Sequence, residues 1–202
     1  MRPLERRRHA WRRGQALVEF TMILPIIMTL ALSIAEFGVA FGTNMTLIQA
    51  TREGARTGAI LVDGSDALGC PGLTGADSVD PQIIAAVQRT IESSGSGITL
   101  ANVNWIHIFK ADANGNPVAN STNEWLVGGV VGAQSCGVDL HFHLNGTALW
   151  PASGRSNTLP VDSIGVSISY KYKLFTPLSA LTGLFGASQI TMIDSTVMAL
   201  EP

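Results

Sequence analysis

The chain has 202 residues, 46% of them hydrophobic and only 14% charged, with a formal net charge of −2 at pH 7. Arg2, Arg6, Arg7, Arg8, Arg12 and Arg13 all precede Gly14 and are opposed there only by Glu5, so the rest of the chain carries a net charge of about −7. An acidic remainder of this kind excludes nucleic acid as a partner, because binding phosphates requires a basic surface.

The arginine-rich leader, residues 1–14, is the kind of segment that stays in the cytoplasm. Beyond it, Phe20 to Ala35 contains no charged residue, and apolar character resumes past Glu36 as far as Phe41. Ala16 to Phe41 would make a helix of roughly 39 Å, enough to cross a hydrocarbon core of about 30 Å once. Two carboxylates interrupt this run, and each would cost about 2.5–3.5 kcal/mol at a bilayer centre. Glu36 is read as lying at the outer interface. Glu19 is read differently because of its register with Gly14. If the chain is cut after Gly14, Gln15 becomes the amino terminus and Glu19 lies one helical turn away, at the positive end of the helix dipole. There it can pair with an ammonium group of its own chain or of a neighbour. Pro25 kinks this helix, which a membrane tolerates better than water does. Gly38 and Gly42, one turn apart, offer a small-residue face for helix packing, or else simply reflect membrane-helix composition.

The basic leader, Gly14-Gln15, Glu19 and Phe20, followed by an apolar helix, resemble a signal cleaved by a prepilin peptidase. The string from Gly14-Gln15-Ala16-Leu17-Val18-Glu19-Phe20 through Leu24-Pro25 and Glu36-Phe37-Gly38 to Ala50-Thr51-Arg52-Glu53-Gly54-Ala55-Arg56 resembles the TadE-like pseudopilins of tight-adherence (Flp-type) pilus systems. The resemblance is dense from Gly14 to Gly58 and loose beyond. It implies a membrane-anchored minor pilin, processed after Gly14, with Glu19 and Phe20 used in assembly. The implied partners are the prepilin peptidase, other pilins and pseudopilins, the inner-membrane assembly platform and membrane lipid. Phe20 stands where the major pilins of these systems usually carry Tyr.

From Thr43 to Gly58 helix formers persist while apolar residues thin out. Met45, Ile48 and Ala55 are expected on one face of a continuing stalk helix, so residues 15–58 form the anchor and stalk and 59–202 the extracytoplasmic head. Residues 64–75 read as loop. Cys70 there and Cys136 further on are expected to form one disulfide outside the cytoplasm. Asp80 is expected to cap a helix with Pro81 at its first position and Ile83, Ile84, Val87 and Ile91 on its buried face. Strand character follows over 98–109, with a turn at Asp112 to Pro117 containing Asn114-Gly115, and over 124–131 and 138–144. The strand at 163–174 reads as half-buried, with Ile164, Val166, Ile168, Tyr170 and Tyr172 alternating with Ser167, Ser169, Lys171 and Lys173 on a wet face. An apolar connection around Leu178, Leu181, Leu184 and Phe185 reads as a lid on the core, and a last strand spans 189–200. The expected architecture is α+β: a long amino-terminal transmembrane and stalk helix, then an antiparallel β-sheet head with a packed helix.

Asp139, His141 and His143 alternate and could share one strand face, but no fourth ligand is spaced to complete a metal site. With no Walker loop, nucleophile elbow, dinucleotide fingerprint or His-Glu-x-x-His run, neither an enzyme nor a cofactor is expected. Two other readings compete with the pilin-like one. Ser33-Ile34-Ala35 fits a general signal peptidase, whose cut would release a soluble protein beginning at Glu36. A single-pass metal-binding protein could use His141 and His143.

Overall fold

The computed structural model describes residues 5–64, 78–93, 95, 97–128, 134–135, 138–175 and 189–201. The chain is α+β. Helix α1 runs from Glu5 to Leu61 without a break at Pro25. After α2 (Val79–Glu92) come β1 (Val103–Ala111), β2 (Pro117–Val127), β3 (Gln134–Ser135), β4 (Val138–Asp139), β5 (Phe142–Leu144), β6 (Ser163–Lys173) and β7 (Gln189–Ala199). The larger sheet is antiparallel throughout, in the order β5-β2-β1-β6-β7, and β3 pairs with β4 in a separate ribbon.

Contacts divide the chain into two compact units, one of residues 1–39 with 174–188, the other of 40–173 with 189–202. In the first, every residue from Gly14 to Ala35 except Leu32 is exposed, including Leu17, Phe20, Met22 and Ile34. A helix apolar all round and left uncovered by the described residues suits an apolar surrounding. At its end Glu36 is buried and accepts the backbone N–H of Phe175 at 3.2 Å.

In the second unit the core lies where the last turns of α1 and the whole of α2 meet one face of the sheet. Ile106 and Ile108 of β1, Ile164, Val166 and Ile168 of β6, and Ile83, Ile84, Val87 and Ile91 of α2 have no exposed surface. The α2 face is the one its 3.6-residue spacing predicts. The face of α1 is not: Met45 is exposed and Ile48 half-exposed, while Leu47, Ala50, Thr51, Gly54, Ala55 and Gly58 are buried. Close approach selects this smaller face. A Cβ on Gly54 would stand 2.6 Å from Val87 Cγ2, and one on Gly58 2.5 Å from Ile164 Cδ1 and 2.9 Å from Ile83 Cδ1.

Other expectations need correction. Ser78 flanks α2 and Asp80 lies inside its first turn, because the Asp80 carboxylate is engaged by Asn123 and Arg155 rather than by the helix's own N–H groups. The segment expected as one strand over 138–144 is split between β4 and β5, which belong to different sheets. Strand β2 starts at Pro117, directly after the turn. There the Asp112 carboxylate accepts the N–H groups of Asn114 and Asn116, both at 2.8 Å, and Gly115 takes a positive φ of 82°. On β6, Lys171 and Lys173 are exposed as expected, but Ser167 and Ser169 are buried. With β1 and β7 on either side, Ser167 Oγ donates to the Asp194 carbonyl at 2.9 Å and Ser169 Oγ accepts from Asn104 Nδ2 at 3.0 Å.

Candidate functional site: the amino-terminal helix

Gly14, Gln15, Glu19 and Phe20 all lie within α1 and are exposed. Helical spacing brings Gln15 and Glu19 together on one face, with Gln15 Nε2 donating to Glu19 Oε1 at 3.1 Å. No side chain from elsewhere in the described residues covers Glu19. Phe20 projects beside it, 60% exposed. A carboxylate and an aromatic ring left uncovered by the described residues on an otherwise apolar helix are groups that usually mark an interface or a function.

The hydroxyls along the apolar run are satisfied within the helix. Thr29 Oγ1 donates to the Ile26 carbonyl at 2.9 Å and Ser33 Oγ to the Thr29 carbonyl at 2.7 Å. Such back-bonding hides polar groups from a surrounding that offers them nothing, so this segment suits lipid. Gly14 to Leu61 contains a stretch long and apolar enough to cross a membrane. Around both Gly38 and Gly42 the space a Cβ would take is open, so neither glycine serves packing among the described residues.

The second patch of the motif, Ala50 to Arg56, has two sides. Ala50, Thr51, Gly54 and Ala55 face the sheet and α2, whereas Arg52 and Arg56 point outward. Thr51 Oγ1 reaches the carboxylate of Asp194 and lies 3.0 Å from Thr196 Oγ1, joining α1 to β7. Arg56 pairs with Glu53 at 3.7 Å. The composition of Ala50 to Arg56 thus serves a packed inner side and a charged outer one.

Cys70 and Cys136 lie outside the described residues, as does the apolar connection around Leu178 to Phe185. Asp139, His141 and His143 do not form one surface. The His141 side chain lies 3.8 Å from Glu92, and the His143 ring contacts the Gly128 carbonyl. Among the described residues no group of three or more His, Cys, Asp or Glu side chains is placed to hold a metal ion. Trp105 and His107 stack with ring centroids 3.8 Å apart. His107 Nε2 meets Glu124 Oε1 at 3.2 Å. Hydrogen bonds from Asn145 and from His107 hold the Glu124 carboxyl below its ordinary range.

One constellation escaped the sequence reading. Arg155, its side chain wholly buried, donates to Asp80 Oδ1 at 2.5 Å and to the Trp150 carbonyl at 3.3 Å, and lies 4.6 Å over the Trp150 ring. Asn123 bonds Asp80 and both the N–H and carbonyl of Trp150. Trp150 and Arg155 are close in sequence, but nothing local announces that Asp80 and Asn123 complete the set. It ties the start of α2 to β2.

No curated protein and no solved structure matches the chain. Residues 14–56 match the family described as TadE-like protein, the stretch that runs from the glycine ahead of Glu19 through the apolar helix to Arg56, and over that stretch the chain is TadE-like, consistent with a pilin-related protein.

Proposed function

We propose that this chain is a membrane-anchored minor pilin or pseudopilin of a tight-adherence (Flp-type) pilus. It is inserted with its arginine leader in the cytoplasm and its head outside, and is cut after Gly14 by a prepilin peptidase. The observation that carries this reading is the start of the TadE-like match at Gly14, on a helix whose following residues expose apolar side chains on every side. The helix first holds the chain in the bilayer and later packs against other pilins. Removing the leader would place Glu19 in the first turn of a helix beginning at Gln15, where a carboxylate is favoured by the dipole and by a neighbouring ammonium group. The cost of desolvating it is then met only in the assembled state, which makes extraction from the membrane selective. Assembly requires the platform in the inner membrane and neighbouring pilins. The reading invokes no enzyme activity and no cofactor.

Determining the amino terminus of the protein recovered from cells tests this directly. Gln15 is the expected result, Glu36 would indicate a secreted soluble domain, and Met1 would mean that the leader is retained. In addition, Glu19→Ala should leave cleavage intact and impair piliation, and normal piliation by that variant would count against the assembly role.

A further inference from the structure

At Glu36 the amino-terminal unit closes on a residue 139 positions further along the chain. The Glu36 side chain is buried, and its Oε1 accepts the backbone N–H of Phe175 at 3.2 Å. Leu174 and Phe175 group with residues 1–39 and not with the sheet that β6 has just left. The bond fixes the Phe175 backbone at the height of Glu36 on α1 and leaves the ring outside, 61% exposed. Phe37, next to Glu36, is exposed as well. An uncovered phenylalanine ring is costly in water, and an adjoining acyl layer removes that cost.

On the membrane-anchored reading above, this height has a place. Ala16, where the apolar run begins, and Glu36 are twenty residues apart, about 30 Å of helical rise, which is the thickness of a hydrocarbon core. Glu36 then stands where acyl chains give way to headgroups, a depth at which a polar side chain is tolerated when it has a partner. The Phe175 backbone shares that depth. The chain reaches Phe175 through Lys171 and Lys173, both exposed at the end of β6, and carries no charge from Leu174 to Ser188. Lysines ahead of apolar residues suit an anionic headgroup layer over acyl chains, because the lysine stem lies along apolar surface while its ammonium stays among the headgroups.

We propose that Phe175 is a second point of membrane contact, its ring inserted at the outer boundary of the bilayer among anionic lipids and its backbone held at that depth by Glu36. The chain then touches lipid along α1 and again directly after β6. Glu36 acts as a positioning residue for this contact. The proposal rests on the membrane-anchor reading and adds to it a contact made by the far end of the sequence.

The test uses the full chain in vesicles of phosphatidylcholine and phosphatidylglycerol whose acyl chains are brominated either just below the headgroups or near their ends. The emission that Phe175→Trp adds to that of wild type should fall at least about twofold with the shallow bromines and less with the deep ones. Leu159→Trp, at an exposed position of the head, should be affected by neither. Ile26→Trp, within the apolar run of α1, should be quenched more by the deep bromines and reports the anchor by itself. Glu36→Ala should abolish most of the quenching of Phe175→Trp, and Glu36→Gln, whose amide oxygen still accepts the Phe175 N–H, should keep it. Quenching at position 26 without quenching at position 175 would overturn the proposal and leave the anchor standing, whether water or a neighbouring subunit surrounds the ring. Equal quenching at positions 159 and 175 would overturn it too, as would undiminished quenching of Phe175→Trp alongside Glu36→Ala. Absence of quenching at position 26 would remove the anchor and this contact together.

Discussion

A buried guanidinium held by one carboxylate makes the head sensitive to a single atom change. Asp80→Asn would leave Arg155 charged, buried and short of a counter-ion, which should destabilise the head by about 3–5 kcal/mol, measured by denaturant unfolding. Replacing Arg155 by Met together with Asp80→Asn should restore part of that loss, because the uncompensated charge is gone. Glu124 behaves differently. Its pKa is lowered in the fold from an ordinary value of 4.5 by Asn145 and His107, so its contribution is complete above that value and is lost as pH falls through the lowered one. Glu124→Gln should therefore flatten the fall in melting temperature below about pH 4.5, and a variant that keeps the wild-type slope would show that other carboxylates set it. At this scale the pairing of Gln15 with Glu19 was legible in the sequence because it is local, one turn of helix apart. Asp80 could not be read correctly, since its partners Asn123 and Arg155 are 43 and 75 residues away.

The elements were legible wherever one periodicity ran unopposed. The isoleucines and valine of α2, the Asn114-Gly115 turn and the strands β6 and β7 follow directly from spacing. The buried face of α1 did not, because its contact surface is built from Gly54, Gly58 and Ala50, residues that carry little hydrophobic signal and matter through the room they leave. Gly58→Leu should accordingly force Ile164 and Ile83 apart and cost about 1–3 kcal/mol, seen as a lower melting temperature of the head. Gly38→Leu, with open space around it, should leave that melting temperature unchanged. If the Gly38 variant instead blocks piliation, the open face is used by another helix. The alternation along β6 misled for a related reason: Ser167 and Ser169 look wet in a single strand and become covered once β1 and β7 flank it.

For the whole molecule, the exposed apolar length of α1 dictates where the protein can reside. Membranes washed with alkaline carbonate should retain the chain, while a variant carrying Leu17→Asp and Ile23→Asp should be released or degraded. The architecture also imposes a timetable. Thr51 of α1 finds Asp194 at a separation of 143 residues, and the notch at Gly54 and Gly58 rests on β6, synthesised more than a hundred residues later. Contacts so distant form slowly, because loop closure must precede any reward. During synthesis, then, the last turns of α1 wait unclothed while the sheet that shelters them is still being delivered. A holdase has its window in that interval, and so does any protease that surveys unfinished chains.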